Sequence, residues 1–152
     1  MRLWLLRHGE AFPQARTDAE RPLTPHGRQE VLISAAQLQG RPISVILASP
    51  YLRAQQTAEL VREAIGFRGA IGTAPWLTPD SEPREALGYL DEREEAEILL
   101  VSHNPFLGEL AGLLIHGHRQ QPVPLRTASL VELEGDFAAA GLMNLLALVH
   151  PQ

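Results

Sequence analysis

Short apolar runs of strand length alternate along the chain with stretches whose apolar residues recur every three or four positions, the signature of a sheet layered with helices. Arg2 to Leu6 reads as a first buried strand. Thr24 then caps a helix with Pro25 in its first turn; Val31, Ala35 and Leu38 line its apolar face, and Gly40 closes it. Ile43 to Ala48 is a second strand, and Ser49-Pro50 repeats the cap-plus-proline signal before a helix whose face is Ala54, Ala58, Val61 and Ile65, ending at Gly66. From Gly69 to Pro83 glycine and proline predict a surface loop with at most a short strand near Ala70 to Thr73. A helix over Pro83 to Glu92, a strand at Ile98 to Val101 and a helix over Phe106 to Ile115 follow, and Leu130 to Leu133 and Leu142 to Val149 close the chain as strands. The prediction is an α/β fold: one domain over residues 1–152, a three-layer sandwich with a mostly parallel central sheet and helices on both faces.

The bulk numbers narrow the function classes. A 152-residue chain that is 45% hydrophobic can bury an adequate single core. Its net charge of −5 argues against general nucleic-acid or anionic-membrane binding, both of which need a basic face. With no cysteine, disulfides, thiol catalysis and cysteine-ligated metals drop out. The apolar run before Arg7 is too short for a signal-peptide core, and no run reaches membrane-spanning length, so a cytoplasmic location is expected. A monomer or weak oligomer is expected as well.

Three strand-to-helix junctions carry related chemistry. Arg7-His8-Gly9-Glu10 follows the first strand, Ser49-Pro50 with Arg53 follows the second, and Ser102-His103-Asn104-Pro105 follows Ile98 to Val101. In a parallel sheet such junctions share the carboxyl edge, where open α/β folds bind ligands. Two guanidinium forks and two imidazoles on one edge suit an anion, and a phosphoryl group above all. Gly9 is read as leaving room for the bound group. An arginine in a helix's first turn opposes the helix dipole unless an anion sits beside it, which favours a functional Arg53. Asn104 is read as turn chemistry before a proline.

Leu6-Arg7-His8-Gly9-Glu10, Arg21-Pro22-Leu23-Thr24 with Gly27, Ser49-Pro50 with Leu52-Arg53-Ala54 and Gln56-Thr57, Leu77-Thr78-Pro79 and Val101-Ser102-His103 occur in one order across most of the chain. In this set the chain resembles the histidine phosphatase superfamily, the phosphoglycerate-mutase-like branch, and especially its small SixA-type phosphohistidine phosphatases. The resemblance implies the phosphoglycerate-mutase-like fold without its cap insertion. It makes His8 the nucleophile, gives Arg7 and Arg53 the phosphoryl oxygens, and makes His103 a second donor. Arg21 either reaches the same phosphate or is a surface arginine before a proline. Glu10 is expected to support the site structurally.

The implied reaction is attack by His8 on phosphorus and hydrolysis of the resulting phosphohistidine, with no cofactor and no metal. The expected partner is a phosphohistidine-bearing protein such as a phosphotransfer domain. Larger relatives protonate an alcohol leaving group with a carboxylic acid; here Asp80 and Glu82 are the candidates, and both read more naturally as solvated loop carboxylates. Imidazole leaves more readily than an alkoxide, which favours phosphohistidine over sugar phosphates. Hydrolysis of small phosphate esters or phosphoramidates, and a non-catalytic phosphate-binding module, are the alternatives. His116-Gly117-His118 reads as a polar turn rather than a metal site, and Glu92, Glu94, Glu95 and Glu97 as a solvated helix end.

Overall fold

The computed structural model describes residues 1–151. Six strands and four helices follow one another as β1 (Arg2–Arg7), α1 (Pro25–Ala36), β2 (Val45–Ala48), α2 (Leu52–Ile65), β3 (Gly72–Thr73), α3 (Pro83–Asp91), β4 (Glu97–Ser102), α4 (Phe106–His116), β5 (Leu130–Glu134) and β6 (Asn144–Val149). The sheet order is β3-β2-β4-β1-β5-β6. The first four of these run parallel, whereas β5 pairs antiparallel with β1 and β6 antiparallel with β5.

Alternation along the central strands sends neighbouring side chains to opposite faces. Leu3 and Leu5 of β1 join Ile98 and Leu100 of β4 beneath α3 and α4, against Ala86, Leu90, Leu107 and Leu110. Trp4 and Leu6 join Leu99 and Val101 on the other face, against Val31 and Ala35 of α1 and Ala54, Ala58 and Val61 of α2. Both faces of β1 and β4 are therefore covered, which is why their sequences are apolar runs rather than alternating ones.

The first helix starts as predicted: Thr24 Oγ1 accepts from the Gly27 amide at 2.9 Å, with Pro25 at the first helical position. The second does not. It begins at Leu52 with Tyr51 at the cap position, and the Ser49 hydroxyl accepts from the Tyr51 amide at 3.2 Å outside the helix. Gly66 closes α2 at φ 67°, a left-handed conformation suited to glycine.

Two expectations need correction. Within the predicted surface loop, the short strand expected near Ala70 to Thr73 forms at Gly72–Thr73 on the edge of β2, but the 3-10 turn Pro75–Leu77 departs from a surface loop by burying Leu77 completely. An apolar anchor, held by the Ser102 hydroxyl donating to the Leu77 carbonyl at 2.6 Å, fixes a segment that glycine and proline content marks as irregular. In the acidic run, Glu97 opens β4 as a buried residue, accepting from Trp4 Nε1 at 2.9 Å and from Arg41 Nε and Nη2 at 3.0 and 3.1 Å. Its charge is matched by a two-pronged partner, which lets a carboxylate sit at a strand start. Among the described residues no helix is long and apolar enough to cross a membrane.

Candidate active site

His8 is the first residue beyond β1, and the central position of that strand fixes its backbone from both sides. Its amide donates to the Ser102 carbonyl at 3.0 Å, and its carbonyl accepts from the Ala128 amide at 2.9 Å. The ring is set by a second local contact, Nδ1–H donating to the Gly9 carbonyl at 2.7 Å. A carbonyl can only accept, so Nδ1 carries the proton and Nε2 keeps its lone pair. Arg53, in the first turn of α2, donates from Nε to that Nε2 at 3.3 Å.

The other junctions close around the same point. The His103 ring lies 5.0 Å from that of His8, and Tyr51 meets His103 edge-on at 5.0 Å while lying 5.2 Å beneath the Arg53 guanidinium. His103 Nε2 is 2.8 Å from Ser49 Oγ. That hydroxyl accepts from the Tyr51 amide and has its own proton free for Nε2, an arrangement in which the ring proton of His103 sits on Nδ1. Arg7 Nη1 donates to the Leu125 carbonyl at 2.9 Å, an oxygen that also accepts from Asn104 Nδ2 at 3.0 Å. Two buried polar atoms are left without a partner among the described residues, Arg7 Nε and His103 Nδ1. Orphaned buried donors are costly, and an anion accepting from both removes that cost.

Burial, opposed by the Gly9 bond and reinforced by Arg53, Arg7 and Arg21, pushes His8 down to about 3. His103 falls far below the ordinary histidine range, first through burial, then through His8 and Arg53, with Asp18 opposing. Both rings are therefore neutral at neutral pH, one holding a lone pair and the other a donor. Burial also lowers the proton affinity of Arg7, with Glu30 offsetting part of the effect. Glu30 lies behind the site, accepting from the Glu10 amide at 3.0 Å and from Thr127 Oγ1 at 2.9 Å.

The family model of the histidine phosphatase superfamily (branch 1) matches residues 3–76. Phosphohistidine phosphatase SixA of Escherichia coli is 31% identical over 149 residues, covering 95% of this chain and 91% of that protein. The chain belongs to the histidine phosphatase superfamily. A SixA homologue of Haemophilus influenzae is 29% identical over 148 residues, 90% of this chain and 89% of its own. The solved structure of the protein histidine phosphatase SixA complexed with tungstate superposes with a TM-score of 0.89 at 30% identity, covering 99% of this chain and 97% of that one. Kinship over nearly the whole length places this member of the superfamily among the phosphatases.

In this histidine phosphatase, Arg7, His8, Arg53 and His103 converge as the sheet-edge argument requires, while Arg21 joins them indirectly. Its Nη1 donates to Asp18 Oδ1 at 2.9 Å and its Nε to the Phe12 carbonyl at 2.7 Å. Asp18 in turn accepts from Arg53, at Oδ2 from Nη2 at 3.2 Å and at the backbone carbonyl from Nη1 at 2.7 Å. Sequence reasoning missed Asp18 because it lies in an aperiodic polar loop; the available signal was that this loop leaves the His8 junction on the same sheet edge.

Gly9 serves a different purpose from the one read in the sequence. A Cβ there would meet the Gly27 carbonyl oxygen at 2.5 Å and Val31 Cγ2 at 2.8 Å, so the glycine admits the backbone of α1 rather than a ligand. Neither candidate acid is bonded to the cradle. Asp80 accepts from Thr78 Oγ1 at 3.3 Å. Glu82 accepts from the Arg84 amide and from Arg119, which hold its carboxyl below the usual range and keep it ionised, without a proton to give. Asn104 is more than a turn residue, since it shares the Leu125 carbonyl with Arg7 and accepts from the Gly108 amide at 3.2 Å.

Proposed function

We propose that this chain hydrolyses phosphohistidine displayed on a protein, through a phosphohistidine intermediate on His8 and without a metal. The observation that carries the reading is the His8 ring: its tautomer is set by the Gly9 carbonyl, so its Nε2 lone pair faces Arg53, while Arg7 Nε and His103 Nδ1 stay buried without a partner among the described residues. A phosphoryl group entering there accepts from Arg7 Nε, His103 Nδ1 and Arg53, and displaces the Arg53 Nε contact from the nucleophile. In-line attack by Nε2 forms the new P–N bond as the old one breaks. Water then attacks phosphorus, releasing phosphate and returning neutral His8. Charge on the transferring oxygens is met by fixed cations and dipoles, the main demand of phosphoryl transfer.

A protein-borne phosphohistidine is favoured by kinship and by the leaving group. The Escherichia coli and Haemophilus influenzae relatives are named as phosphohistidine phosphatases of the SixA kind. Asp80 and Glu82 are engaged elsewhere, and imidazole is a leaving group that tolerates such a site. A phosphotransfer domain is the class of partner that presents this group.

The test is single-turnover labelling with a phosphorylated histidine protein, followed by turnover against a panel of phosphomonoesters. Acid-labile label is expected on the wild type and none on His8→Ala, with faster turnover of phosphohistidine than of the esters. Binding without label would make the protein a phosphate-recognition module, and faster ester turnover would make it a small-ester phosphatase.

A further inference from the structure

The reaction above leaves idle the carboxylate that bridges two arginines at the site. Asp18 occupies the 3-10 turn Asp18–Glu20, with Oδ1 on Arg21 and Oδ2 on Arg53. An anion beside a phosphoryl cradle repels the dianion the cradle serves, so its presence is unfavourable unless it serves the rest of the substrate. Its side chain is 56% exposed while that of Arg53 is 5% exposed, which puts the carboxylate at the mouth and the guanidinium inside. Hydrogen bonds from Arg21 first, and then from Arg53, keep it ionised.

We propose that Asp18 recognises the leaving group, accepting a hydrogen bond from the ring nitrogen of phosphohistidine that does not carry phosphorus. This rests on the phosphohistidine reading of the site. When that distal nitrogen is protonated, the substrate ring is an imidazolium. As His8 Nε2 bonds to phosphorus, the electrons of the breaking P–N bond pass to the proximal nitrogen, and the ring departs as neutral imidazole with its proton still on the distal atom. His8 becomes a phosphoimidazolium, so charge is conserved in the exchange. A carboxylate on the distal N–H favours this protonated form and removes the need for an acid at the scissile nitrogen. An ester oxygen offers no such N–H, so towards an ester Asp18 contributes only repulsion.

The experiment compares wild type with Asp18→Asn on two substrates, a phosphohistidine and p-nitrophenyl phosphate, whose leaving group has no ring N–H. The ratio of kcat/KM for phosphohistidine to that for the aryl ester is expected to fall about tenfold or more in the variant, the scale of one charge-assisted hydrogen bond to the departing ring. Equal losses on both substrates, or a ratio that rises, would reduce Asp18 to a clamp for Arg53 and Arg21 and overturn the proposal. A wild-type enzyme that prefers the aryl ester overturns the phosphohistidine reading and this one with it, and it does so before any variant is made.

Discussion

Two imidazoles held neutral inside the fold make stability depend on pH in a way that can be worked out residue by residue. In the unfolded chain His8 has its ordinary value of 6.5, whereas in the folded protein it lies at about 3. As pH falls below 6.5 the unfolded chain takes up a proton that the folded chain refuses. The stabilisation is therefore complete above 6.5 and is lost progressively towards 3. At about 1.4 kcal/mol per pH unit below 6.5, lowering the pH from 7 to 5 costs about 2 kcal/mol for His8. His103 shifts in the same direction and contributes a loss of similar size over that interval. Urea unfolding of the wild type at pH 7 and pH 5, at fixed ionic strength, is expected to differ by about 4 kcal/mol from these two groups, plus whatever the other groups add. His8→Gln keeps a polar side chain without the titration, so its loss over the same interval is expected to be smaller by about 2 kcal/mol. Equal losses in the two proteins would show that His8 titrates in the fold as it does in the unfolded chain, and the claim that burial keeps its ring neutral down to pH 5 would fall with it.

Two further outcomes test the supports of the site. Gly9→Ala puts a methyl group 2.5 Å from the Gly27 carbonyl oxygen and 2.8 Å from Val31, and is expected to cost about 2 kcal/mol or more by overpacking, read as a lower urea midpoint. Glu97→Ala leaves the buried Trp4 Nε1 donor unpaired while Arg41, 35% exposed, can turn to water, so a loss of about 2 kcal/mol is expected in urea unfolding. Glu97→Gln retains an acceptor for Trp4 and is expected to lose less.

The convergence of Arg7, His8, Arg53 and His103 was legible because it follows from topology: each stands at the end of a strand, just beyond one, or at the start of a helix on one edge of a parallel sheet. Local chemistry was harder to read. Ser49 before Pro50 has the composition of a helix cap, yet the helix starts three residues later and the hydroxyl serves His103. Its tertiary partner outweighed a local preference that the sequence displays equally well for either role. Glu97 looked solvated because three other acidic residues precede it, and the groups that neutralise it, Trp4 and Arg41, are distant in the chain. The direction of β5 and β6 leaves no mark in an apolar run, which reads the same for parallel and antiparallel pairing. Asp18 was hidden for a related reason: its value comes from two arginines on either side of it in space, and nothing in its own loop announces them.

The placement of β1 between β4 and β5 matters beyond packing. The His8 ring grows from the middle of the sheet, and that of His103 from the strand next door, so neither is mounted on a segment that can swing out by itself. Loosening the cradle means parting strands whose separation melts the whole protein. Change is thereby left to the rim, where exposed groups can be replaced without disturbing the two rings at the centre.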